Sequence, residues 1–259
     1  MLYTKPIESL KKIMYGRKVI RQIYEAISKE AYIDGPIGFA TWFLENMEAM
    51  NIDPMWRRHS QNVGELLNRF IEKYGDCFKI PKERYSAFYA GGLLHDIGKL
   101  DFIGQKGDSS VLNGKSDPSD SELKIIGLHP DRGRTYISFI NKKRKIGLIN
   151  GDTDMIVFQH HADYNGRGFP LGLEGEDIHI GARIARVADT MDAVVDPSHP
   201  KKKGQKTCDV HEIRSILKNG SGNQFDPAVA EAFCELLGDE SIIKKLSAAN
   251  GNKGPPPTQ

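Results

Sequence analysis

The segment GLLHDIGKL, residues 92–100, places an imidazole beside a carboxylate in an otherwise apolar stretch. Helical periodicity puts His95 and Asp96 on the apolar face that begins at Tyr85, and Lys99 is expected to continue that face. Burying a carboxylate is costly unless it is paired with a cation or bound to a metal. The stretch therefore has two interpretations, an ion pair between Asp96 and Lys99 or a metal site.

Two more histidines fall on predicted apolar helix faces. His59 begins a stripe of apolar residues at offsets of 4, 7, 8, 11 and 12, which is one face of a helix. His129 ends an apolar helical pattern just before Pro130, which should bend or interrupt the helix there. Each histidine taken alone is also explained as a packed or hydrogen-bonded core residue.

The remaining candidates lie at the end of one predicted helix and along another. His160 and His161 end an apolar helix and precede a glycine-rich turn, so both can serve a site if it lies beyond the helix end. Asp189 and Asp192 share one face of the apolar segment GARIARVADTMDAVV. A surface or capping role for the two histidines, and a cap or arginine pair for Asp192, remain the alternatives.

Taken together, these segments offer more ligands than one tetrahedral zinc ion accepts. Mixed imidazole and carboxylate ligands favour iron, manganese or zinc over calcium or magnesium. A two-metal centre bridged by Asp96 accounts for the number, and such centres activate water for displacement at phosphorus. The predicted ligands are His59, His95, Asp96, His129, His160, His161 and Asp189.

Composition limits the classes of protein to consider. The chain has 259 residues, 39% hydrophobic and 27% charged, and a net charge of +2, which gives no argument for a nucleic-acid polymer or an anionic membrane as partner. No apolar run reaches the roughly 18 residues of a membrane span, and the first residues lack the apolar segment of a signal peptide. The 3 scattered cysteines suit a reducing compartment. We expect a cytoplasmic protein without a membrane span.

Helical periodicity dominates the sequence, which predicts an all-α fold. Residues 1–52 are expected to form a small N-terminal helical annex that serves packing, sensing or dimer formation. Residues 53–245 carry every chemical motif and should form the main domain. Residues 246–259 are small, polar and proline-rich and should be a disordered tail.

The order of His59, His95-Asp96 and Asp189 resembles the HD superfamily of metal-dependent phosphohydrolases. His129, the His160-His161 pair and the motif GFP at residues 168–170 make the chain similar to the HD-GYP subfamily, and NQFDPAV at residues 223–229 strengthens the likeness. The resemblance covers about residues 53–237.

This resemblance implies an all-α HD-domain helical bundle that hydrolyses cyclic di-GMP to pGpG, with GMP as a further product left open. It implies two transition-metal ions on the ligands named above, with iron or manganese preferred and zinc or nickel also compatible. Asp96 and Lys99 would be the catalytic residues, with Lys99 on the scissile phosphate.

The sequence departs from the family pattern at several positions. Met55 replaces the glutamate that serves a third metal, so two metals are predicted. Ala162 replaces the glutamate after the histidine pair, Asn165 replaces an aspartate, and Phe169 replaces the GYP tyrosine. An Arg-Pro-Tyr stretch appears here as SHPKKK, residues 198–203, which removes an arginine fork for phosphate or guanine.

These departures leave the substrate contacts and the function open. Lys99, Asp192, His199 and Lys202 are the predicted substrate-binding residues; Asp192 could instead orient a ligand imidazole or the attacking water, and the lysine run could be a solvated loop. Two other functions are hydrolysis of another nucleotide or phosphodiester, and non-catalytic binding of cyclic di-GMP or of a signalling protein such as a GGDEF domain.

Overall fold

The computed structural model describes residues 21, 23, 25, 33–47, 52, 54–102, 126–196, 207–239 and 242. These residues form helices and no strand, which confirms the predicted all-α class. The α-helices are α1 (Gly35–Glu45), α2 (Pro54–Tyr74), α3 (Tyr85–Leu94), α4 (His129–Arg144), α5 (Thr153–Gln159), α6 (Ile180–Val195), α7 (Val210–Gly220) and α8 (Pro227–Leu236). Three 3-10 helices span Lys82–Arg84, Ile97–Phe102 and Gly175–Asp177.

Helix α3 lies at the centre of the bundle and contacts α1, α2 and α5. A Cβ atom at Gly92 would lie 2.8 Å from the Cα atom of Gly64, so α2 and α3 cross at a contact between two glycines. This close approach brings His59 of α2 next to the C-terminal end of α3, where the His95-Asp96 pair begins.

Two apolar cores flank the centre of the bundle. One combines α1 with the end of α3, the 3-10 helix Ile97–Phe102 and α4, and includes Phe39, Trp42, Leu94 and Leu100. The other combines α2 with α6, α7 and α8. Helix α1 therefore shares a core with the segment that carries Asp96 and Lys99, while the division of the chain at residue 52 stays a prediction.

Two local expectations from the sequence were wrong. Helix α3 ends at Leu94, so Asp96 lies in a turn and Lys99 lies in the following 3-10 helix instead of continuing the α-helical face. His129 begins helix α4 instead of ending a helix, and Pro130 lies in the first turn of α4. Proline is tolerated there because a first-turn N–H has no partner within the helix.

None of the helices in the described part of the chain combines the length and the apolar character that crossing a bilayer requires. The cytoplasmic location stays a prediction. His199, Lys202 and the predicted tail at residues 246–259 lie outside the described residues.

Candidate metal centre

The structure brings all seven predicted ligands together from five helices and the turns beside them. His59 comes from α2, His95 and Asp96 follow α3, His129 begins α4, His160 and His161 follow α5, and Asp189 lies on α6. Six of these side chains form two groups that could each hold a metal ion. One group is His59, His95 and Asp96, and the other is Asp96, His129, His160 and His161.

Asp96 belongs to both groups because its two oxygens face opposite sides. Its Oδ1 atom lies 3.2 Å from His129 Nε2 and 3.8 Å from His160 Nε2. Its Oδ2 atom lies 3.5 Å from His95 Nε2 and 3.6 Å from His59 Nε2. Oδ1 is buried and has no hydrogen-bond partner among the described residues. A buried anionic oxygen surrounded by imidazole nitrogens is an expected metal ligand.

Three of the imidazoles are oriented in the same way by the backbone. Each ring donates its Nδ1–H to the carbonyl three residues earlier, a proton position assigned from these contacts. The pairs are His95 with Gly92 (2.8 Å), His129 with Ile126 (2.7 Å) and His160 with Val157 (3.0 Å). Their Nε2 atoms are thereby directed to the centre, where His129 Nε2 and His160 Nε2 lie 3.1 Å apart.

His59 is oriented by a carboxylate instead of a carbonyl. Its Nδ1 atom lies 2.6 Å from Asp192 Oδ2, and Asn62 donates to Asp192 Oδ1 at 2.7 Å. Its Nε2 atom lies 3.1 Å from His95 Nε2. Asp192 is fully buried, and its two oxygens face His59 and Asn62; among the described residues, the nearby Arg58 pairs with Asp196.

Asp189 also spans the two groups. Its Oδ1 atom lies 3.2 Å from His59 Nε2, and its Oδ2 atom lies 4.0 Å from His161 Nδ1. The centre therefore has a second carboxylate, besides Asp96, that faces ligands of both groups.

The protonation states of the ligands differ because their neighbours differ. Burial opposes the charged form of His59, but the hydrogen bonds that this imidazole donates to Asp189 and Asp192 outweigh burial and raise its pKa to about 10. Burial lowers the pKa of His95 to about 3 and lowers that of His161 well below its usual value. Burial would raise the pKa of Asp96, yet the Lys99 ammonium and the nearby imidazoles hold it well below its usual range. Apart from His59, these ligands therefore need not lose a proton before they bind a cation.

Lys99 lies at the edge of the centre. Its Nζ atom is 2.5 Å from Asp96 Oδ2 and 5.8 Å from the centre of the Trp56 ring, and its side chain is 18% exposed. Lys99 thus forms the ion pair with Asp96 that the opening segment suggested. It does so on Oδ2, the oxygen that also faces His59 and His95, while Oδ1 faces the other group of histidines.

Three departures from the family pattern have a visible local setting. Met55 packs against the core that contains α1. Ala162 is buried in a small apolar cluster with Ile178 and Ala182, a poor environment for the glutamate it replaces. The Phe169 ring lies 4.8 Å from the His161 ring, so the GFP motif forms a wall beside a ligand.

Comparison with known families and proteins agrees with this geometry. Residues 44–229 match the HD domain family. The chain belongs to the HD domain family. A cyclic di-GMP phosphodiesterase of Vibrio cholerae is 30% identical over 152 residues, which are 56% of this chain and 28% of that protein. A cyclic di-GMP phosphodiesterase of Thermotoga maritima is 27% identical over 235 residues, which are 89% of this chain and 56% of that protein.

The name of a third relative gives a different cyclic dinucleotide as its substrate. The 3'3'-cGAMP-specific phosphodiesterase 2 of Vibrio cholerae is 26% identical over 190 residues, or 73% of this HD domain chain and 33% of that protein. The chain therefore spans between 28% and 56% of the length of these three curated relatives.

Sequence reasoning missed two residues of this HD domain centre. Asn62 lies one turn after His59 and holds Asp192, and Arg186 lies one turn before Asp189 and contacts Asp163. The available signal was a polar residue one turn away from a predicted ligand on the same helix. The partners of Asn62 and Arg186 are distant in sequence, so that signal does not identify them.

Proposed function

We propose that this chain is a metal-dependent phosphodiesterase of the HD-GYP subfamily that hydrolyses cyclic di-GMP to pGpG. The observation that carries the proposal is the pair of ligand groups that share Asp96. Two groups around one carboxylate suit a binuclear centre, and such centres are used for displacement at phosphorus. The names of the relatives support a cyclic dinucleotide as substrate.

The donor set favours two transition-metal ions, with iron or manganese preferred. His59, His95 and Asp189 would hold one ion, His129, His160 and His161 would hold the other, and Asp96 would contact both. When bound, the ions supply Lewis acidity for the phosphate oxygens and a nucleophile from water. Met55 is partly buried against the apolar core and offers no carboxylate, which supports a centre of two ions instead of three.

The chain's own residues supply orientation and charge. Asp192 holds the proton on His59 Nδ1 and so keeps Nε2 directed at the centre. Lys99 supplies a positive charge beside Asp96 that would stabilise the charge developing on the phosphoryl group. His199 and Lys202 would contribute further charge to the substrate.

A second substrate is favoured by a specific observation. Relatives named as 3'3'-cGAMP-specific phosphodiesterases match this chain over comparable lengths. The phenyl ring of Phe169 also lacks the hydroxyl of the family's tyrosine in a position that faces His161. Hydrolysis of 3'3'-cGAMP is therefore the main alternative, and non-catalytic binding of cyclic di-GMP or of a GGDEF-type partner is the other.

The test is turnover by the full chain loaded anaerobically with Fe²⁺ or Mn²⁺, with products separated by chromatography. We expect conversion of cyclic di-GMP to pGpG, and we expect Asp96→Asn to lose bound metal and about 100-fold or more of the activity, because it removes the shared ligand. Asp152→Asn is the matched control, because Asp152 is also a buried carboxylate paired with a cation, Arg84, but lies outside the ligand groups.

Three results would overturn parts of the proposal. An Asp96→Asn variant with full metal content and turnover would exclude the shared-ligand mechanism. Cleavage of 3'3'-cGAMP with cyclic di-GMP untouched would establish the alternative substrate. Tight binding of cyclic di-GMP without product after long incubation with either metal would indicate a receptor.

A further inference from the structure

Arg186 of α6 contacts two other parts of the molecule beside the metal centre. It lies on α6, one turn before Asp189, and its side chain is 16% exposed. Its Nε and Nη2 atoms donate to Asp163 Oδ1 at 3.1 and 2.8 Å. With the amide of Gln224 oriented so that its carbonyl faces Arg186, that oxygen accepts from Nη2 at 2.6 Å and from Nη1 at 3.3 Å.

Asp163 belongs to a segment that we term the ligand loop, residues 160–170, which begins with the two ligands His160 and His161. The loop closes on itself, because Asp163 N donates to Arg167 O at 2.8 Å and Phe169 N donates to His161 O at 3.1 Å. The closure is tight: a Cβ atom at Gly168 would lie 2.3 Å from His161 O. A displacement of Asp163 would therefore be transmitted to His161.

The ligand loop is also attached to the turn between α7 and α8. Tyr164 N donates to Gln224 O at 3.3 Å, and Asn165 N donates to Asn223 O at 2.9 Å. The guanidinium of Arg186 contacts both the loop and this turn, so it ties each of them to the helix that carries Asp189.

We propose that Arg186 is a positioning residue that fixes His161 relative to Asp189 by holding Asp163 and Gln224 with one guanidinium. This inference rests on the proposed two-metal centre. His161 needs such support because its backbone follows the end of α5 and its Nδ1 atom faces Asp189, whereas His95, His129 and His160 are each held by a carbonyl three residues earlier.

The neighbouring Arg183 provides a matched control. It lies one turn earlier on α6, its side chain is 14% exposed, and it donates to Asp226 Oδ2 at 2.5 Å and to Ile178 O at 3.0 Å. Asp226 caps the start of α8 through Ala228 N. Arg183 is therefore an arginine of similar burial with an aspartate partner, and none of these contacts involves the ligand loop.

The experiment compares Arg186→Lys and Arg183→Lys in the full chain by Mn²⁺ titration and thermal unfolding. A lysine carries a single ammonium and cannot span Asp163 and Gln224 as the planar fork does. We expect Arg186→Lys to lower the affinity for one of the two Mn²⁺ ions by about 10- to 100-fold, the usual effect of losing a residue that hydrogen-bonds behind a metal ligand. We expect both variants to lower the melting temperature by a similar amount. Arg183→Lys should leave the affinities for both Mn²⁺ ions unchanged.

Asp163→Asn should reproduce the effect of Arg186→Lys, since it removes the charge from the other end of the contact. The inference is overturned if Arg186→Lys binds both ions as tightly as wild type, or if Arg183→Lys weakens the same ion equally. If the wild type binds two ions and hydrolyses its substrate while Arg186→Lys is unchanged, only this inference fails. If the wild type binds a single ion, the two-metal centre fails and the inference fails with it.

Discussion

Replacing Asp192 by asparagine tests whether an outer carboxylate prepares His59 for metal. The change is nearly isosteric, and it leaves every proposed metal ligand in place. Asp192 accepts from His59 Nδ1–H with one oxygen (2.6 Å) and from Asn62 Nδ2 with the other (2.7 Å). An amide has one carbonyl oxygen and one NH₂ group, so after the substitution one of the two donors faces another donor.

The size of the effect follows from this geometry. If the carbonyl faces Asn62, His59 loses the partner that fixes its ring; if it faces His59, the amide NH₂ opposes Asn62 in a site that is fully buried. Loss of such an outer partner weakens metal binding by about 10- to 100-fold, or about 1.4–2.7 kcal/mol. The weakening should be confined to one ion, because neither oxygen of Asp192 contacts His129, His160 or His161.

The assay is competition for Zn²⁺ or Mn²⁺ against a chromophoric chelator, which gives separate affinities for the two ions. Adding Asn62→Asp to Asp192→Asn should recover most of the loss, since the new carboxylate accepts from the amide NH₂ and frees the carbonyl for His59. Wild-type affinities in the Asp192→Asn variant, or equal weakening of both ions, would refute the orienting role.

Two further predictions concern pH and packing. Because metal must displace the proton of an imidazole whose pKa is about 10, affinity for the His59 ion should rise about tenfold per pH unit from pH 6.5 to about 10, and a flat calorimetric profile would contradict this. The same shift stabilises the metal-free fold fully below pH 6.5, and this contribution is lost as the pH rises through about 10. A Cβ atom at Gly98 would lie 1.8 Å from His129 O, so Gly98→Ala should lower the free energy of unfolding by about 1–3 kcal/mol. The same variant should bind the metal ion at His129 less tightly. Gly38→Ala, whose Cβ would meet only atoms 3.8 Å away or farther, should show neither effect by denaturation and metal titration.

Helical periodicity was enough to predict the inward face of the helices that carry His59 and Asp189. In both helices, apolar residues recur on the side of the ligand over several turns. His59 is buried with them, and the Asp189 side chain is 13% exposed. The sequence also predicted that the helix ends at His160 and His161, and the structure ends it at Gln159, one residue earlier. The turn predicted from the following glycines is present, since Gly166 and Gly168 have φ values of +82° and +80°.

Periodicity failed where a helix ended without a helix-breaking residue. Nothing between Leu94 and Lys99 forbids a continuous α-helix, yet the chain turns at His95 and Asp96 and tightens into a 3-10 helix. The physical reason lies in a distant segment, because Gly98 packs its backbone directly against His129 and Gly133 at the start of α4. This contact brings the turn that carries Asp96 close enough to face His129, and a local pattern contains no information about it.

The same limit explains why the two carboxylates of the centre were assigned different roles from the sequence. The position of Asp96 beside a histidine indicated a shared ligand, whereas Asp189 was expected only to add one more ligand. In the structure both span the ligand groups, and the span of Asp189 depends on where the ligand loop places His161. That placement is made by contacts of residues 163–165 with α6 and with the turn before α8, so it is a property of the tertiary structure. Substitutions in this loop would then alter metal binding without touching any ligand, which is the behaviour that the Arg186 and Asp163 variants measure.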